Sequence, residues 1–218
     1  MDTYKRPSVT VDILVFTIEK NVLKVLLVKR GIEPFKGKWA IPGGFIQINE
    51  SLEDAAKREL LQETGIKNIY MEQLYTFGDP KRDPRERVIT VAYMALIPNE
   101  NLRLRATTDA SDVTWFSIKS LPELAFDHTK ILKYALGRLK SKIEYSNIVH
   151  GLLSEKFRLS ELQKVYEVIL GKKLDKRNFR KRMLSLGLLK ATGEKEMEGA
   201  HRPAMLYRFT TKEIIFFD

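Results

Sequence analysis

The sequence predicts an α+β fold in two parts, divided near residue 140. Three observations predict it. Up to about residue 120, runs rich in Val, Ile and Leu surround one amphipathic helix pattern. Beyond Glu155 the order changes to helix, short turn, helix, then two short strands. Charge also separates along the chain: residues 141–218 carry 16 Lys and Arg against 10 Asp and Glu.

Each element has a local reason. "SVTVDILVFTIE" (Ser8–Glu19) and "VLKVLLVKR" (Val22–Arg30) flank Lys20-Asn21, the pattern of a hairpin. "KWAIPGGF" reads as a short strand broken by Pro42 and by Gly43-Gly44. A helix follows, with Ser51 as N-cap and Asp54 as the acid of a capping box. Leu52, Ala55, Ala56, Leu60 and Leu61 recur at helical spacing, and Thr64-Gly65 ends the run. "IYMEQLYTF", "RVITVAYMALI" and "DVTWFSI" are three further strand candidates, and "KILKYALGRLKSKIEYSNIVHGLL" is a helix running into a linker. In "RLSELQKVYEVILGK", Leu159, Leu162, Val165, Tyr166 and Ile169 share one helical face. "LDKRNFRKRMLSLG" is a second helix, capped by Asp175 and stopped at Gly187. The strands after it surround a polar loop, which completes the order of a winged helix-turn-helix.

The chain of 218 residues has a net charge of +10, which favours polyanionic partners. It has no cysteine, which excludes disulfides and thiolate metal sites. No apolar stretch approaches the roughly 18 residues of a membrane span. Nor does the N-terminus join a basic region to a long apolar run. A cytoplasmic protein with no membrane partner is expected.

Two constellations carry chemistry. Glu59, Gln62 and Glu63 share one helical face, with Arg58 beside them and Glu50 just before the helix. Such a face is either solvated or holds a cation. Mg²⁺ suits it, because this ion prefers oxygen ligands and shares them with phosphates. Gly43 and Gly44 allow close approach of backbone to that ion or to a phosphate.

The run from Gly44 through Glu50 to "RELLQETGI" resembles the Nudix box, G-x5-E-x7-R-E-U-x-E-E-x-G-U, where U is aliphatic. Gly44, Glu50, Arg58, Glu59, Leu60, Glu63, Gly65 and Ile66 match. Gln62 departs, standing where that family has the first glutamate of a pair. The resemblance implies an N-terminal Nudix α/β/α sandwich with a mixed sheet. It implies Glu59, Gln62 and Glu63 as metal-facing positions, with Glu59, Glu63 and Arg58 catalytic if the site is active. An amide at 62 removes one negative charge, so Mg²⁺ is expected to bind weakly. "FGDPKRDPRERVITVAYMAL" and "WFSIKSLPELAFDHTKIL" are similar to segments of the ADP-ribose-type branch. Arg82, Arg85 and Arg87 are then either phosphate clamps or a solvated loop. Phe77 and Tyr93 are base-stacking candidates or core residues, and Asp127-His128 starts a helix or meets the ligand.

The second constellation is "KKLDKRNFRKR" (Lys172–Arg182), with seven basic side chains and one acid. Leu174, Phe179, Met183, Leu184 and Leu186 are suited to a core. Lys176, Arg177, Asn178, Arg180, Lys181 and Arg182 then cover the outer side, where a helix-turn-helix meets the major groove. His201 and Arg202 in the wing are candidates for backbone or minor-groove contact. A solvated charged helix is the plainer alternative.

A Nudix-like part at 1–140 followed by a winged helix-turn-helix at 141–218 resembles the NrtR group of bacterial Nudix-related transcription regulators. That resemblance implies a sensor of ADP-ribose, a related NAD metabolite or a sugar. It implies a homodimer on a double-stranded DNA operator, and a box degenerate enough to bind its ligand without destroying it. A Mg²⁺-dependent pyrophosphatase acting on ADP-ribose or a similar compound is the alternative.

Overall fold

The computed structural model describes residues 6–67, 69–99, 110–197 and 203–217. Strand β1 (Ser8–Glu19) turns at Lys20 and Asn21, both at positive φ, into the antiparallel β2 (Val22–Arg30). Two successive left-handed residues make the tight hairpin turn that matches strand twist. Around this pair assemble β3 (Trp39–Ala40), β4 (Gly43–Phe45), β5 (Tyr70–Phe77), β6 (Val88–Leu96) and β7 (Ala110–Ser117). The sheet is mixed: β1 runs parallel to β6, and its other pairings are antiparallel. The strand order is β3-β2-β1-β6-β5, with β4 on β1 and β7 on β2.

Alternation along the strands feeds two cores. Val11, Ile13 and Val15 of β1 join Ala55, Ala56 and Leu60 of helix α1 (Leu52–Thr64) on one face. Leu14 and Phe16 join Ile131, Leu132, Ala135 and Leu139 of helix α2 (His128–Tyr145) on the other. Period-two side chains on a pleated strand make both faces apolar when helices cover both. At the start of α1, Ser51 accepts from the Asp54 amide, as expected of an N-cap. The Asp54 carboxylate accepts from the Ser51 hydroxyl at 2.8 Å instead of reaching back to a backbone amide.

The C-terminal part holds β8 (Phe157–Arg158), α3 (Leu159–Leu170), α4 (Lys176–Ser185), β9 (Leu189–Glu196) and β10 (Ala204–Phe209). Its strands order as β8-β10-β9, the small sheet of a winged helix. Asp175 caps α4 by accepting from the Asn178 amide at 2.8 Å. The break expected between residues 140 and 141 falls inside α2, which runs unbroken to Tyr145. The physical reason is a shared core: Leu139 and Ile143 of α2 are fully buried, in one cluster with Leu162, Val165 and Ile169 of α3. Among the described residues, no helix is long and apolar enough to cross a membrane.

Candidate ligand cavity and DNA-reading helix

A cavity of about 330 Å³ opens at the β4 edge, between the C-terminal half of α1 and the start of α2. Gly43, Gly44, Glu59, Glu63, Arg82 and Arg85 all line it, as does His128. The structure brings these positions together around one cavity. The reason for the two glycines is packing. A Cβ on Gly43 would lie 2.1 Å from the Val11 carbonyl oxygen, and one on Gly44 would lie 2.3 Å from a Glu59 carboxylate oxygen.

The acidic wall is strongly bonded. Glu63 Oε2 accepts from the Gly43 amide at 2.8 Å. Arg58 donates to both oxygens of Glu50, to Glu59 and, at 3.1 Å, to the amide oxygen of Gln62. These bonds hold the Glu50 carboxyl below its ordinary pKa. Gln62 is exposed and does not line the cavity, and neither does Arg58. Among the described residues, no three His, Cys, Asp or Glu side chains are grouped to hold a metal ion unaided. Glu59 and Glu63 fit an ion that shares a ligand's phosphate oxygens, which is how Mg²⁺ is often held.

On the basic wall, Arg82 is buried and shared. Its Nη2 donates to Asp127 at 2.9 Å and to Asp12 at 3.3 Å. Arg85 pairs with Asp83 and lies over the rings of Phe45 and Phe126, at 5.2 and 5.7 Å. Burial pushes the Asp83 carboxyl up, but the bonds from Arg85 outweigh it and hold the pKa below the ordinary value. Arg87 and Phe77 lie elsewhere. Arg87 bonds the Val88 carbonyl on the exposed surface. Phe77 is buried against Tyr75 and Tyr134, and Tyr93 is core. Phe77 sits at the end of β5, where the strand's alternation points it at α2 and not into the cavity.

Sequence reasoning missed Arg30 and Phe126. Arg30 lies 4.8 Å over the Phe126 ring, and its Nε donates to the Pro34 carbonyl. Its Nη2 is buried without a hydrogen-bond partner. Burial, then the charge of Arg85, lowers the pKa of this guanidinium. Phe126 sits at φ 52°, in the left-handed region that large residues rarely adopt. Asp12 lines the cavity too, and it left a signal, as an acid inside the apolar run of β1.

His128 is buried, and its Nδ1 accepts from the Ile41 amide at 2.9 Å, so the proton sits on Nε2, facing Asp12 at 3.7 Å. Burial lowers its pKa below 6.5, opposed by Asp12. A pKa lowered on folding gives stability that is complete above about pH 6.5. That stability is lost as pH falls from there toward the folded-state pKa. His150 is shifted the same way by burial. The melting temperature should therefore hold steady down to about pH 7 and decline below about 6.5, before the carboxylates titrate. His128→Asn should shrink that decline, and an equal decline in the variant would contradict the assignment.

On α4, Phe179 and Met183 are buried, and Lys176, Arg177, Asn178, Arg180 and Lys181 are exposed. Arg182 is exposed as well, but it has a protein partner that the sequence did not indicate: its Nη2 donates to the Glu144 carbonyl at 2.9 Å. It flanks the buried stripe, one turn from Phe179, and so reaches α2. His201 and Arg202 lie outside the described residues.

The fold and its two sites define a Nudix domain joined to a DNA-binding winged helix. Residues 6–135 match the NUDIX domain, and residues 149–209 match the NrtR DNA-binding winged helix domain. An ADPR responsive transcriptional repressor of Acinetobacter baylyi is 38% identical over 217 residues, which is 98% of this chain and 86% of that protein. Shewanella oneidensis NrtR complexed with a 27mer DNA superposes with a TM-score of 0.84 at 41% identity, covering 92% of this chain and 93% of that one. The Nudix domain of the same Shewanella protein, complexed with ADP ribose, superposes with a TM-score of 0.58 at 39% identity, over 62% of this chain and 90% of that one. The chain belongs to the NrtR-type, Nudix-related transcription regulators.

Proposed function

We propose that this chain is an ADP-ribose-responsive, DNA-binding transcriptional repressor. The carrying observation is that one continuous core supports both an arginine-lined cavity and an exposed basic recognition helix. A pyrophosphate offers the acceptors that Arg30, Arg82 and Arg85 suit, since charge-assisted, forked donors recognise phosphate oxygens. Mg²⁺ held by Glu59 and Glu63 would neutralise the same phosphates. Gln62, outside the cavity and engaged by Arg58, contributes no charge there. Binding without rapid hydrolysis is the consequence. A homodimer on a two-fold operator is part of this reading, because one 10-residue recognition helix reads only a few base pairs. The cytoplasm, where DNA and NAD metabolites meet, is its location.

Calorimetric titration with ADP-ribose tests the sensor. Arg30→Ala should weaken binding by about 10- to 100-fold, the range for losing a charged hydrogen-bond donor. In parallel, ADP-ribose held with Mg²⁺ and protein should be recovered intact. Rapid release of AMP would make the chain a pyrophosphatase and defeat the sensor reading.

A further inference from the structure

Helix α2 has one end in the ligand cavity and the other on the reader. At its start, Asp127 accepts from Arg82 Nε and Nη2, and His128 holds the Ile41 amide; Arg82, Ile41 and His128 line the cavity, and Asp127 stands behind Arg82. Its 18 residues span about 27 Å. At its far end, three of the carbonyls that a helix leaves without an internal partner are bonded. Ser146 Oγ donates to the Lys142 carbonyl, Arg182 of α4 to that of Glu144, and the Phe217 amide to that of Tyr145. Phe217 belongs to the tail after β10. That tail is clasped by buried Asn147, which donates to the Glu213 carbonyl and accepts from the Ile215 amide.

We propose that Arg182 is a positioning residue: it couples the cavity to DNA reading by fixing α4 to the C-terminus of α2, and does not contact DNA phosphate. The proposal rests on the ADP-ribose-responsive reading above. A phosphate entering the cavity competes with Asp127 for the donors of Arg82, the bond that anchors the start of α2. Any shift of this core-packed helix is delivered to Glu144, and through Arg182 to α4. Ligand state then biases the orientation of the recognition helix, the differential contact that a population shift requires. Arg177 and Lys181 lie on the side of α4 opposite Phe179 and remain for DNA. Arg182 instead caps a neighbouring helix, a favourable place for a cation.

The test uses the full chain, its Arg182→Ala variant and a DNA duplex selected by the wild-type protein from a random library. DNA affinity is measured across a salt series, and with and without ADP-ribose. Expected for the variant are a salt slope equal to wild type, unchanged ADP-ribose affinity, and DNA affinities with and without ligand within about twofold of each other. Wild-type coupling should be in the usual range of roughly 5- to 150-fold. A role confined to stability would lower affinity in both ligand states and leave their ratio intact, which would overturn the proposal. So would a salt slope shallower by about 0.9, the loss of one phosphate contact. A wild-type protein whose DNA affinity ignores ADP-ribose would overturn the functional reading and the coupling together. The variant's ratio, judged against a responsive wild type, separates the two failures.

Discussion

Replacing Arg177 and Arg180 together by alanine should lower DNA affinity by about 100-fold and flatten its salt dependence by about 2 in log–log slope. Two lost contacts at about 1–3 kcal/mol each, and about 0.9 of slope per phosphate, set these values. Both side chains are exposed on α4, whose inner stripe is formed by Phe179 and Met183, so the substitutions leave the core untouched. Alanine also favours the helix slightly. ADP-ribose binding should be unchanged, because the cavity is walled by other elements. Fluorescence anisotropy on a selected duplex at several salt concentrations reads both quantities. Unaltered affinity would remove α4 as the recognition helix.

Gly43→Ala is expected to destabilise the sensor part by about 3 kcal/mol, the upper range for overpacking. At about 2–4 °C per kcal/mol for a chain of this size, melting should fall by roughly 6–12 °C. The added Cβ would meet the Val11 carbonyl oxygen at 2.1 Å and the Asp12 Cα at 3.0 Å, both backbone atoms of a central strand. Neither can move without parting β4 from β1, where Gly43 pairs with Asp12. Gly44→Ala is the informative contrast. Its Cβ meets the Glu59 carboxylate, the end of a flexible side chain that can swing aside. That variant should melt closer to wild type while displacing Glu59 from the cavity. Thermal melts of both separate the cases, and equal melting of Gly43→Ala and wild type would refute the β1–β4 register.

Much of the scaffold was legible because its causes are local. Ser51, Gly65 and Asp175 mark helix ends through bonds within a few residues, and all three sit as caps. Periodicity placed the strands and the inner face of α3, since burial follows side-chain direction. The Nudix spacing located Glu59, Glu63 and both glycines because one helix and one turn carry them. Gln62 shows the limit. Its helical position is close to that of Glu63, yet the cavity receives Glu63 and Arg58 holds the amide in solvent.

By itself, the sequence determined two parts of opposite character, a phosphate-suited acidic helix and a basic recognition helix, because charge, capping and periodicity act over a few residues. Only the tertiary structure decided which charges meet. It brought Arg30 of β2, Arg82 and Arg85 of a loop and His128 at the head of α2 around one cavity, although they are far apart in sequence. It also bonded Arg182 to a carbonyl 38 residues away and carried helix α2 across residue 140 as far as Tyr145. Pairings of that kind depend on how helices and sheet pack, and packing is set by the whole core rather than by neighbours along the chain.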